Sequence, residues 1–239
     1  MWLWFAAPFL VGFFISGADI SNILFWIQFI ALGPFYCLVV YGVNDVYDFE
    51  TDQENERKGE GASQGDILMP ENHDLVIKTS LIFSALLLAI SLFTRNIVNI
   101  AGMIFLIFWA FAYSAPPIRL KERPVVDSIS NGFGYVLVPS MMGFSLGAPI
   151  TAFPESGFWA ALVISGMHAA FAVMDFEPDK AAGVNTIAVR FGKKATIMFP
   201  AVAVLMALIF SPLQDLISRI LLIELFALIV AMALDIYGY

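Results

Sequence analysis

The sequence predicts an all-α protein, a polytopic bundle of transmembrane helices, and three observations carry this prediction. Of the 239 residues, 60% are hydrophobic and only 13% are charged, whereas soluble domains have about 45–50% apolar and about 25% charged residues. The apolar residues form runs long enough to cross a bilayer, which takes about 17–25 helical residues. Polar residues collect between these runs. Together these features predict a single transmembrane domain over residues 1–239.

Eight apolar runs are long enough to be spanning helices. The last two are separated only at Ser211-Pro212, a pair of residues that favours a break between helices. Cys37, the single cysteine, lies in the second run. We expect it to be a small buried hydrophobe, because one cysteine forms neither an internal disulfide nor a thiolate metal site. The predicted spans are residues 2–17, 21–44, 74–94, 97–116, 126–148, 156–175, 195–211 and 215–237.

The loops between the runs differ in their content of Lys and Arg. Most basic residues follow the second, fourth and sixth runs, and the positive-inside rule places such loops in the cytoplasm. We therefore expect a multi-pass protein of the cell membrane, in contact with membrane lipid, with these loops on the cytoplasmic side. The net charge of −8 and the absence of a basic patch argue against nucleic acid as a partner. The basic residues of these loops are Arg57, Lys58, Arg119, Lys121, Arg123, Lys180, Arg190, Lys193 and Lys194.

Two acidic clusters stand at the ends of the second and sixth runs. Asp45, Asp48 and Asp52 recur at i, i+3 and i+7, and Asp175 and Asp179 recur at i and i+4, so each set shares one side of a helix. Carboxylates this close repel one another unless a cation lies between them. Hard oxygen ligands suit Mg²⁺, which binds substrate phosphates as well. The clusters predict magnesium ligands around a diphosphate, although either cluster alone is also explained as a solvated acidic loop.

Four basic residues lie close to the acidic clusters in the sequence. Arg57 and Lys58 follow the first cluster in a segment that contains glycine, and Arg119 and Lys121 follow a pair of prolines that stiffens the chain. We expect Arg119 and Lys121 to lie on one side of an extended segment. Such cations bind diphosphate oxygens and offset the charge of a leaving group. The alternative explanation for the charges is topology signalling alone.

Several uncharged or isolated polar residues complete the candidate site. Asn44 precedes the first aspartate and is placed to orient a carboxylate or to bind diphosphate, and Thr186 extends the helical spacing of the second cluster. Asn131 is an intramembrane amide, which needs a partner. His168 lies two helical turns before the second cluster and is expected to be a hydrogen-bonded interhelical histidine. His168, Asp127 and the diphosphate itself remain alternatives for a proton acceptor.

At these residues the chain resembles the UbiA superfamily of intramembrane prenyltransferases. The resemblance covers essentially the entire chain and rests on three motifs in order, each at the end of a predicted helix. The first matches NDxxDxxxD, the second matches DxxxDxxxGxxT, and the third is a recurring segment with a tyrosine, a proline and two basic residues. The matching residues are Asn44, Asp45, Asp48 and Asp52; Asp175, Asp179, Gly183 and Thr186; and Tyr113, Ser114, Pro116, Arg119 and Lys121.

The resemblance implies a helical bundle around a central cavity, capped on the cytoplasmic side, that binds a prenyl diphosphate through Mg²⁺. Members of the family typically have nine spanning helices, compared with the eight predicted here. The implied catalytic residues are Asp45, Asp48, Asp175 and Asp179, which together with Asp52 are also the implied metal ligands. The implied substrate-binding residues are Asn44, Arg57, Lys58, Tyr113, Arg119, Lys121, Asn131 and Thr186.

Within the superfamily, the segments around Arg57 and from Tyr113 to Asp127 look most like the lycopene elongases. Those enzymes add a five-carbon prenyl unit to the ends of lycopene, and some also add water. A carotenoid is therefore the expected lipophilic acceptor. Other acceptors stay open: a quinone precursor, a chlorophyllide-type ring or a glycerol-phosphate lipid. These need polar anchors in a cavity, whereas the apolar runs are nearly free of charge.

An ion or metabolite transporter is the alternative from a different class, because paired intramembrane acids also mark ion pathways. A transporter would need carboxylates near the middle of the bilayer with access from both sides. Both acidic clusters instead follow apolar runs and are predicted to face the same compartment. This placement favours the enzyme over the transporter.

Overall fold

The computed structural model describes residues 3–53, 58–59, 66–212 and 215–238. All regular secondary structure in these ranges is helical, which confirms the predicted all-α class. In chain order the α-helices are α1 (Leu3–Ile15), α2 (Ile23–Leu32), α3 (Pro34–Tyr47), α4 (Phe49–Gln53), α5 (His73–Phe93), α6 (Ile97–Ser114), α7 (Val126–Asn131), α8 (Val138–Phe144), α9 (Ser156–Met174), α10 (Phe176–Ala181), α11 (Ile187–Phe191), α12 (Lys193–Thr196), α13 (Met198–Phe210) and α14 (Leu216–Tyr237).

Within the described ranges, six helical segments are long and apolar enough to cross a membrane, in agreement with six of the eight predicted runs. The first run forms α1, which has only 13 residues. The fifth run forms α7 and α8, which a π-helical turn at Gly132–Leu137 joins. The number of spans therefore stays a prediction. The six segments are Ile23–Tyr47, Pro70–Phe93, Ile97–Ser114, Ser156–Met174, Lys193–Phe210 and Leu216–Tyr237.

The chain divides into two compact units. Unit 1 contains Met1–Arg119 and Val138–Phe153, and unit 2 contains Leu120–Leu137 and Pro154–Tyr239. The first acidic cluster belongs to unit 1 and the second to unit 2. A single domain over residues 1–239 stays a prediction.

In unit 1, helices α1 and α8 pack with their backbones in contact. A Cβ atom added at Gly12 would lie 2.0 Å from the carbonyl oxygen of Ser140, and one added at Gly143 would lie 1.9 Å from that of Phe9. Neither position admits a side chain. Small residues of this kind allow the close helix pairs that are common in membranes.

Aromatic side chains fix α3 against α6 in the same unit. The hydroxyl of Tyr36 donates a hydrogen bond to the carbonyl oxygen of Leu106 at 2.7 Å, and the ring of Phe5 meets Tyr36 edge to face at 4.6 Å. Tyr36 and Trp109 are fully buried. This packing positions the ends of α3 and α6, where the candidate residues Asn44 and Ser114 lie.

A buried polar network joins α2, α5 and α6. The amide of Asn99 accepts a hydrogen bond from Gln28 Nε2 at 2.7 Å and donates one to Gln28 Oε1 at 3.0 Å. It also accepts one from the hydroxyl of Ser91 at 2.5 Å and donates to the carbonyl oxygen of Met142 at 3.3 Å. These partners satisfy the amides where water is excluded.

In unit 2, α9 packs against α13, and α14 completes the cluster. The core contains Val163, Ala170 and Val204, with Ile229 as the buried residue of α14. Gly166 allows the close approach of α9 and α13, because a Cβ atom there would lie 2.8 Å from Cα of Pro200. This packing holds the end of α9, where the second acidic cluster begins.

Candidate active site

The first acidic cluster begins in α3 and continues across its end. Asp48 is the C-cap of α3, with φ −105° and ψ 4°. The backbone N–H of Asp48 donates to the carbonyl oxygen of Asn44 at 2.9 Å, and that of Asp52 donates to Asp48 at 2.7 Å. The helical i, i+4 bonding thus carries through the junction into α4. Helical backbone bonding therefore continues past the interruption at Asp48, and the shared side of the three carboxylates stays a prediction.

Lys58 lies between two carboxylates of this cluster. Its Nζ is 2.8 Å from Oδ1 of Asp45 and 2.6 Å from Oδ2 of Asp52. The side chains of Lys58 and Asp52 are only 13% and 10% exposed. Burial opposes the charged form of Lys58, but its hydrogen bonds to the two carboxylates outweigh burial and raise the pKa of the amine above its usual value. The residue is therefore an ammonium ion held by both carboxylates.

The position of Lys58 tests whether these residues fit a metal ion. Two carboxylates seven positions apart converge on one cationic atom, which is the arrangement that a shared cation requires. Mg²⁺ in phosphate-binding sites takes one or two carboxylates and completes its octahedron with water and phosphate oxygens, so the donors fit this ion. Among the residues that the structure describes, no group of three or more His, Cys, Asp and Glu side chains is arranged to hold a metal.

Asp48 faces different neighbours from Asp45 and Asp52. Its Oδ2 accepts a hydrogen bond from Asn44 Nδ2 at 2.8 Å, and the same amide nitrogen donates to the hydroxyl of Ser114 at 3.0 Å. Nη2 of Arg119 lies 3.9 Å from Asp48 Oδ1. Asn44 therefore orients a carboxylate, as one of its two predicted roles requires. Ser114, at the end of α6, completes this arrangement.

The predicted extended segment holding Arg119 and Lys121 on one side is wrong. Arg119 has a φ of +41°, in the left-handed region that non-glycine residues rarely adopt, and Leu120–Glu122 forms a 3₁₀ turn. Such a turn has three residues per turn, so side chains two positions apart point to different sides. Arg119 lies beside Asp48, whereas the negative charge of Asp179 acts to raise the pKa of Lys121.

Tyr113 is half-buried in the last turn of α6. Its ring lies against Trp109, with 5.2 Å between the ring centroids. Trp109 is a buried core residue, so its ring supports one side of the Tyr113 ring. The predicted role of Tyr113 in substrate binding stays a prediction.

The second acidic cluster is built around a short helix. Asp175 ends α9 and begins α10, and the N–H of Asp179 donates to the carbonyl oxygen of Asp175 at 2.9 Å. The hydroxyl of Thr186 donates to Oδ2 of Asp179 at 3.2 Å. Gly183, with a φ of +72°, turns the chain between them. The helical i, i+4 spacing of the two aspartates and the contact of Thr186 with the cluster are thus both present.

Lys121 is a buried amine in unit 2. Burial lowers the pKa of Lys121 to about 8, and the charges of Glu122 and Asp179 counter only part of this effect. An ammonium ion at this position gains stability when a further anion approaches. This property suits a residue that binds diphosphate.

Asp127 lies in the first turn of α7, and Asn131 is the last residue of the same helix. Asp127 is fully buried, and its Oδ2 accepts a hydrogen bond from the backbone N–H of Ile187 at 2.9 Å. Nδ2 of Asn131 donates to the carbonyl oxygen of Asp127 at 2.6 Å. The intramembrane amide therefore has a partner in its own helix, as its placement requires. Its predicted role in substrate binding stays a prediction.

His168 contacts the neighbouring helix. Its Nδ1 lies 3.2 Å from the hydroxyl of Ser128 in α7, which confirms the expected hydrogen-bonded interhelical histidine. Ser128 was missed by sequence reasoning, although it follows the candidate Asp127 directly. Of the remaining candidate residues, Arg57 lies outside the described residues.

Comparison with known proteins identifies relatives along most of the chain. A lycopene elongase/hydratase from Haloarcula japonica is 33% identical over 86% of this chain and 69% of its own length. One from Haloferax volcanii is 32% identical over 84% of this chain and 65% of its own length. A bacteriochlorophyll synthase 34 kDa chain from Chloroflexus aurantiacus is 30% identical over 80% of this chain and 61% of its own length. The matches thus span about two thirds of these relatives.

The fold also matches that of a solved structure. A UbiA homolog from Archaeoglobus fulgidus, bound to DMAPP and Mg²⁺, superimposes with a TM-score of 0.72 at 22% identity, over 99% of this chain and 84% of that one. The model of the UbiA prenyltransferase family matches residues 5–239. This match covers nearly the whole sequence and includes both acidic clusters. The chain belongs to the UbiA prenyltransferase family.

Proposed function

We propose that this prenyltransferase moves a prenyl group from a prenyl diphosphate to the end group of lycopene or a related carotenoid. The observation that carries the donor half of the proposal is the convergence of Asp45 and Asp52 on a single cationic atom, Lys58 Nζ. Carboxylates that share one cation are suited to holding a metal–diphosphate complex. The acceptor half rests on the similarity to lycopene elongase/hydratases.

The five aspartates of the two clusters are the proposed metal ligands. Bound Mg²⁺ would stabilise the negative charge that develops on the diphosphate as it leaves. Asn44 holds Asp48 by a hydrogen bond, and Thr186 holds Asp179 in the same way. These two residues therefore orient carboxylates for binding. That both clusters bind the same diphosphate is part of the proposal.

The basic residues are proposed to bind the remaining diphosphate oxygens. Lys58 already lies among the carboxylates, Arg119 lies beside Asp48, and Lys121 is a buried amine near Asp179. Arg57, outside the described residues, is proposed to act with them. Positive charge at these positions favours departure of the leaving group. We propose that these loops face the cytoplasm, as the basic residues indicate.

The transfer itself breaks the bond between the allylic carbon and the diphosphate oxygen, and the oxygen keeps the electron pair. The terminal double bond of the carotenoid then supplies the electrons for a new carbon–carbon bond, which leaves a tertiary cation on the acceptor. That cation either loses a proton to give an alkene or takes up water and loses a proton to give an alcohol. The second route is the hydration included in the names of the relatives.

A chlorophyllide-type ring is the second candidate acceptor, because a bacteriochlorophyll synthase chain is also a relative. The spanning helices favour the hydrocarbon. Each of the six long apolar segments contains a stretch of 18 residues with no more than two charged residues. A carboxylated ring or a glycerol phosphate would need fixed cations inside the membrane.

Expression of the chain in a lycopene-producing host tests the acceptor directly. We expect carotenoids extended by one or two five-carbon units, with or without added hydroxyl groups. Isolated membranes supplied with dimethylallyl diphosphate, Mg²⁺ and lycopene should give the same products. A variant with Asp45→Asn serves as the control for activity of the host.

The same membranes should be supplied with a quinone precursor and with bacteriochlorophyllide. Unchanged lycopene together with prenylation of either alternative would overturn the carotenoid assignment. It would leave the donor half intact, because the prenyl diphosphate would still be consumed. Retained lycopene extension by the Asp45→Asn variant would instead overturn the assignment of the first cluster.

A further inference from the structure

Asp127 is a buried carboxylate in the amino-terminal turn of α7, with both oxygens directed at backbone N–H groups. Oδ1 accepts a hydrogen bond from the N–H of Ser128 at 2.6 Å, and Oδ2 accepts one from the N–H of Ile187 at 2.9 Å. The second bond spans 60 positions of the sequence. Asp127 therefore ties α7 to the segment that follows the second acidic cluster.

Ile187 is held from its other side as well. The hydroxyl of Thr196, a buried residue of α12, donates a hydrogen bond to the carbonyl oxygen of Ile187 at 3.3 Å. The N–H and the carbonyl group of one residue are thus each bonded to a side chain from a different helix. Ile187 is itself 5% exposed. The backbone at this point is a fixed anchor in unit 2.

The anchored residue directly follows Thr186, which binds the second acidic cluster. The hydroxyl of Thr186 donates to Oδ2 of Asp179 at 3.2 Å and lies 3.5 Å from the N–H of Val189, which it accepts as the N-cap of α11. A shift of the Ile187 backbone would move Thr186 with it, because the two share a peptide bond. Two hydrogen bonds and the peptide bond between Thr186 and Ile187 therefore connect Asp127 to Asp179.

We infer that Asp127 is a positioning residue for the donor site, which holds Thr186 against Asp179 so that the carboxylate is oriented before the metal and diphosphate bind. The inference deepens the proposed function and rests on it. Under this inference Asp127 is not the proton acceptor of the reaction, because both of its carboxylate oxygens accept hydrogen bonds from the backbone and its side chain is fully buried. An intact anchor matters for metal and diphosphate and has no direct part in acceptor binding.

The test compares Asp127→Ala, Asp127→Asn and Thr196→Val with the wild-type chain in nanodiscs. Asparagine keeps the size of the side chain but places an amide donor where one of the two N–H groups needs an acceptor. Valine at position 196 keeps the size of threonine and removes its hydroxyl bond to Ile187. The matched control is Ser130→Ala, because Ser130 bonds to the carbonyl oxygen of Asp127 at 3.1 Å, away from the anchor.

Three quantities should be measured for each variant. Electron paramagnetic resonance of Mn²⁺ gives metal binding in the presence of a non-reactive thiolodiphosphate analogue of the donor, without turnover. Steady-state kinetics give the Mg²⁺ concentration for half-maximal rate and the KM for each of the two substrates. Thermal unfolding gives the Tm, which separates a loss of folded protein from a change in the site.

We expect Asp127→Ala and Asp127→Asn to weaken Mn²⁺ binding and to raise the donor KM by about tenfold, the effect of losing a hydrogen bond to a charged group. Thr196→Val should give about threefold, because a bond between uncharged groups is lost. Ser130→Ala should match the wild type. The KM for the acceptor should stay unchanged in every variant. If Asp127→Ala does not fold, Asp127→Asn and Thr196→Val carry the test.

Two results would overturn the inference. A fall in kcat with unchanged Mn²⁺ binding and donor KM would mean that Asp127 acts on the acceptor or in folding alone. Variants indistinguishable from Ser130→Ala would remove any role in the site. A wild-type chain that binds no metal–diphosphate complex would overturn both the proposed function and this inference, and it would do so before any variant is compared.

Discussion

The two acidic clusters differ in how their carboxylates are held. In the first, the ammonium of Lys58 lies between Asp45 and Asp52 at 2.6–2.8 Å. In the second, the hydroxyl of Thr186 binds Asp179 at 3.2 Å, and that hydroxyl belongs to an anchored segment. In the first cluster one ammonium group thus joins two carboxylates, whereas in the second a neutral hydroxyl on an anchored backbone binds Asp179, which also interacts with the charge of Lys121.

Similar motifs at similar helix ends thus acquire different electrostatics from the segments that follow them. We expect a metal ion that binds to the first cluster to compete with Lys58 for Asp45 and Asp52, which would leave the displaced amine for the diphosphate. The second cluster has no such exchange with Thr186, because a hydroxyl and a metal ion bind carboxylate oxygens without mutual charge repulsion. We therefore expect Lys58 to change partners on metal binding and Thr186 to stay bound to Asp179.

Loss of a carboxylate from either cluster should reduce prenyl transfer most strongly. We expect Asp45→Asn and Asp175→Asn each to lower the rate of prenyl transfer by about a thousandfold or more, because each removes charge from the proposed metal ligands. The rate should be measured with radiolabelled donor in membranes of equal enzyme content. Asp74→Asn is the control, since Asp74 pairs with Lys78 on the surface.

Full activity of either variant would show that its cluster takes no part in the reaction. Loss of activity in Asp74→Asn would show that the assay reports protein level or topology. Equal, large losses at Asp45 and Asp175 would mean that the different partners of the two clusters serve one common purpose.

Replacement of Lys58 tests whether its ammonium group competes with a metal ion for Asp45 and Asp52. Lys58→Met should tighten Mn²⁺ binding in the absence of diphosphate, because the ammonium no longer competes for Asp45 and Asp52. The same variant should lower the rate of transfer by about ten- to a hundredfold, since a cation for the leaving group is lost. Lys193→Met, which removes a more exposed pair with Glu177, should change neither quantity. Weaker Mn²⁺ binding in Lys58→Met would contradict the exchange.

Replacement of Thr186 should have the smallest effect. Thr186→Val removes one neutral donor from Asp179, and we expect the Mg²⁺ concentration for half-maximal rate to rise by about three- to tenfold. Thr186→Ser keeps the hydroxyl and should recover most of the affinity. Metal titration of the rate measures both. An effect as large as that of Asp175→Asn would place Thr186 among the direct ligands.

Much of the fold and part of the site follow from local sequence. Apolar runs predict the long helices because the length needed to cross a bilayer is fixed, and helical backbone hydrogen bonding continues past the break at Asp48. Asn44 could be assigned because its amide is one turn from Asp48. These features depend on helical periodicity, which can be inferred from residues that are close together in the sequence.

The features of the site that the sequence did not predict depend on contacts between distant residues or on backbone dihedral angles. The contact of Asn44 with Ser114 joins residues 70 positions apart, and the anchor of Asp127 at Ile187 joins residues 60 apart. Nothing in local spacing indicates either. The failure at Arg119 has a different cause, since one left-handed residue and a 3₁₀ turn redirect the side chains that an extended segment would align.

The buried network of Gln28, Asn99 and Ser91 has a consequence for biogenesis. Gln28 leaves the ribosome 71 residues before Asn99, its amide partner. An unpaired amide in hydrocarbon costs roughly 2–7 kcal/mol, and the amide of Gln28 lacks this compensating partner until α6 lies beside α2. We therefore expect α2 to gain this part of its stability in the bilayer only after α6 has been synthesised, which couples the two helices although 71 residues separate the paired amides.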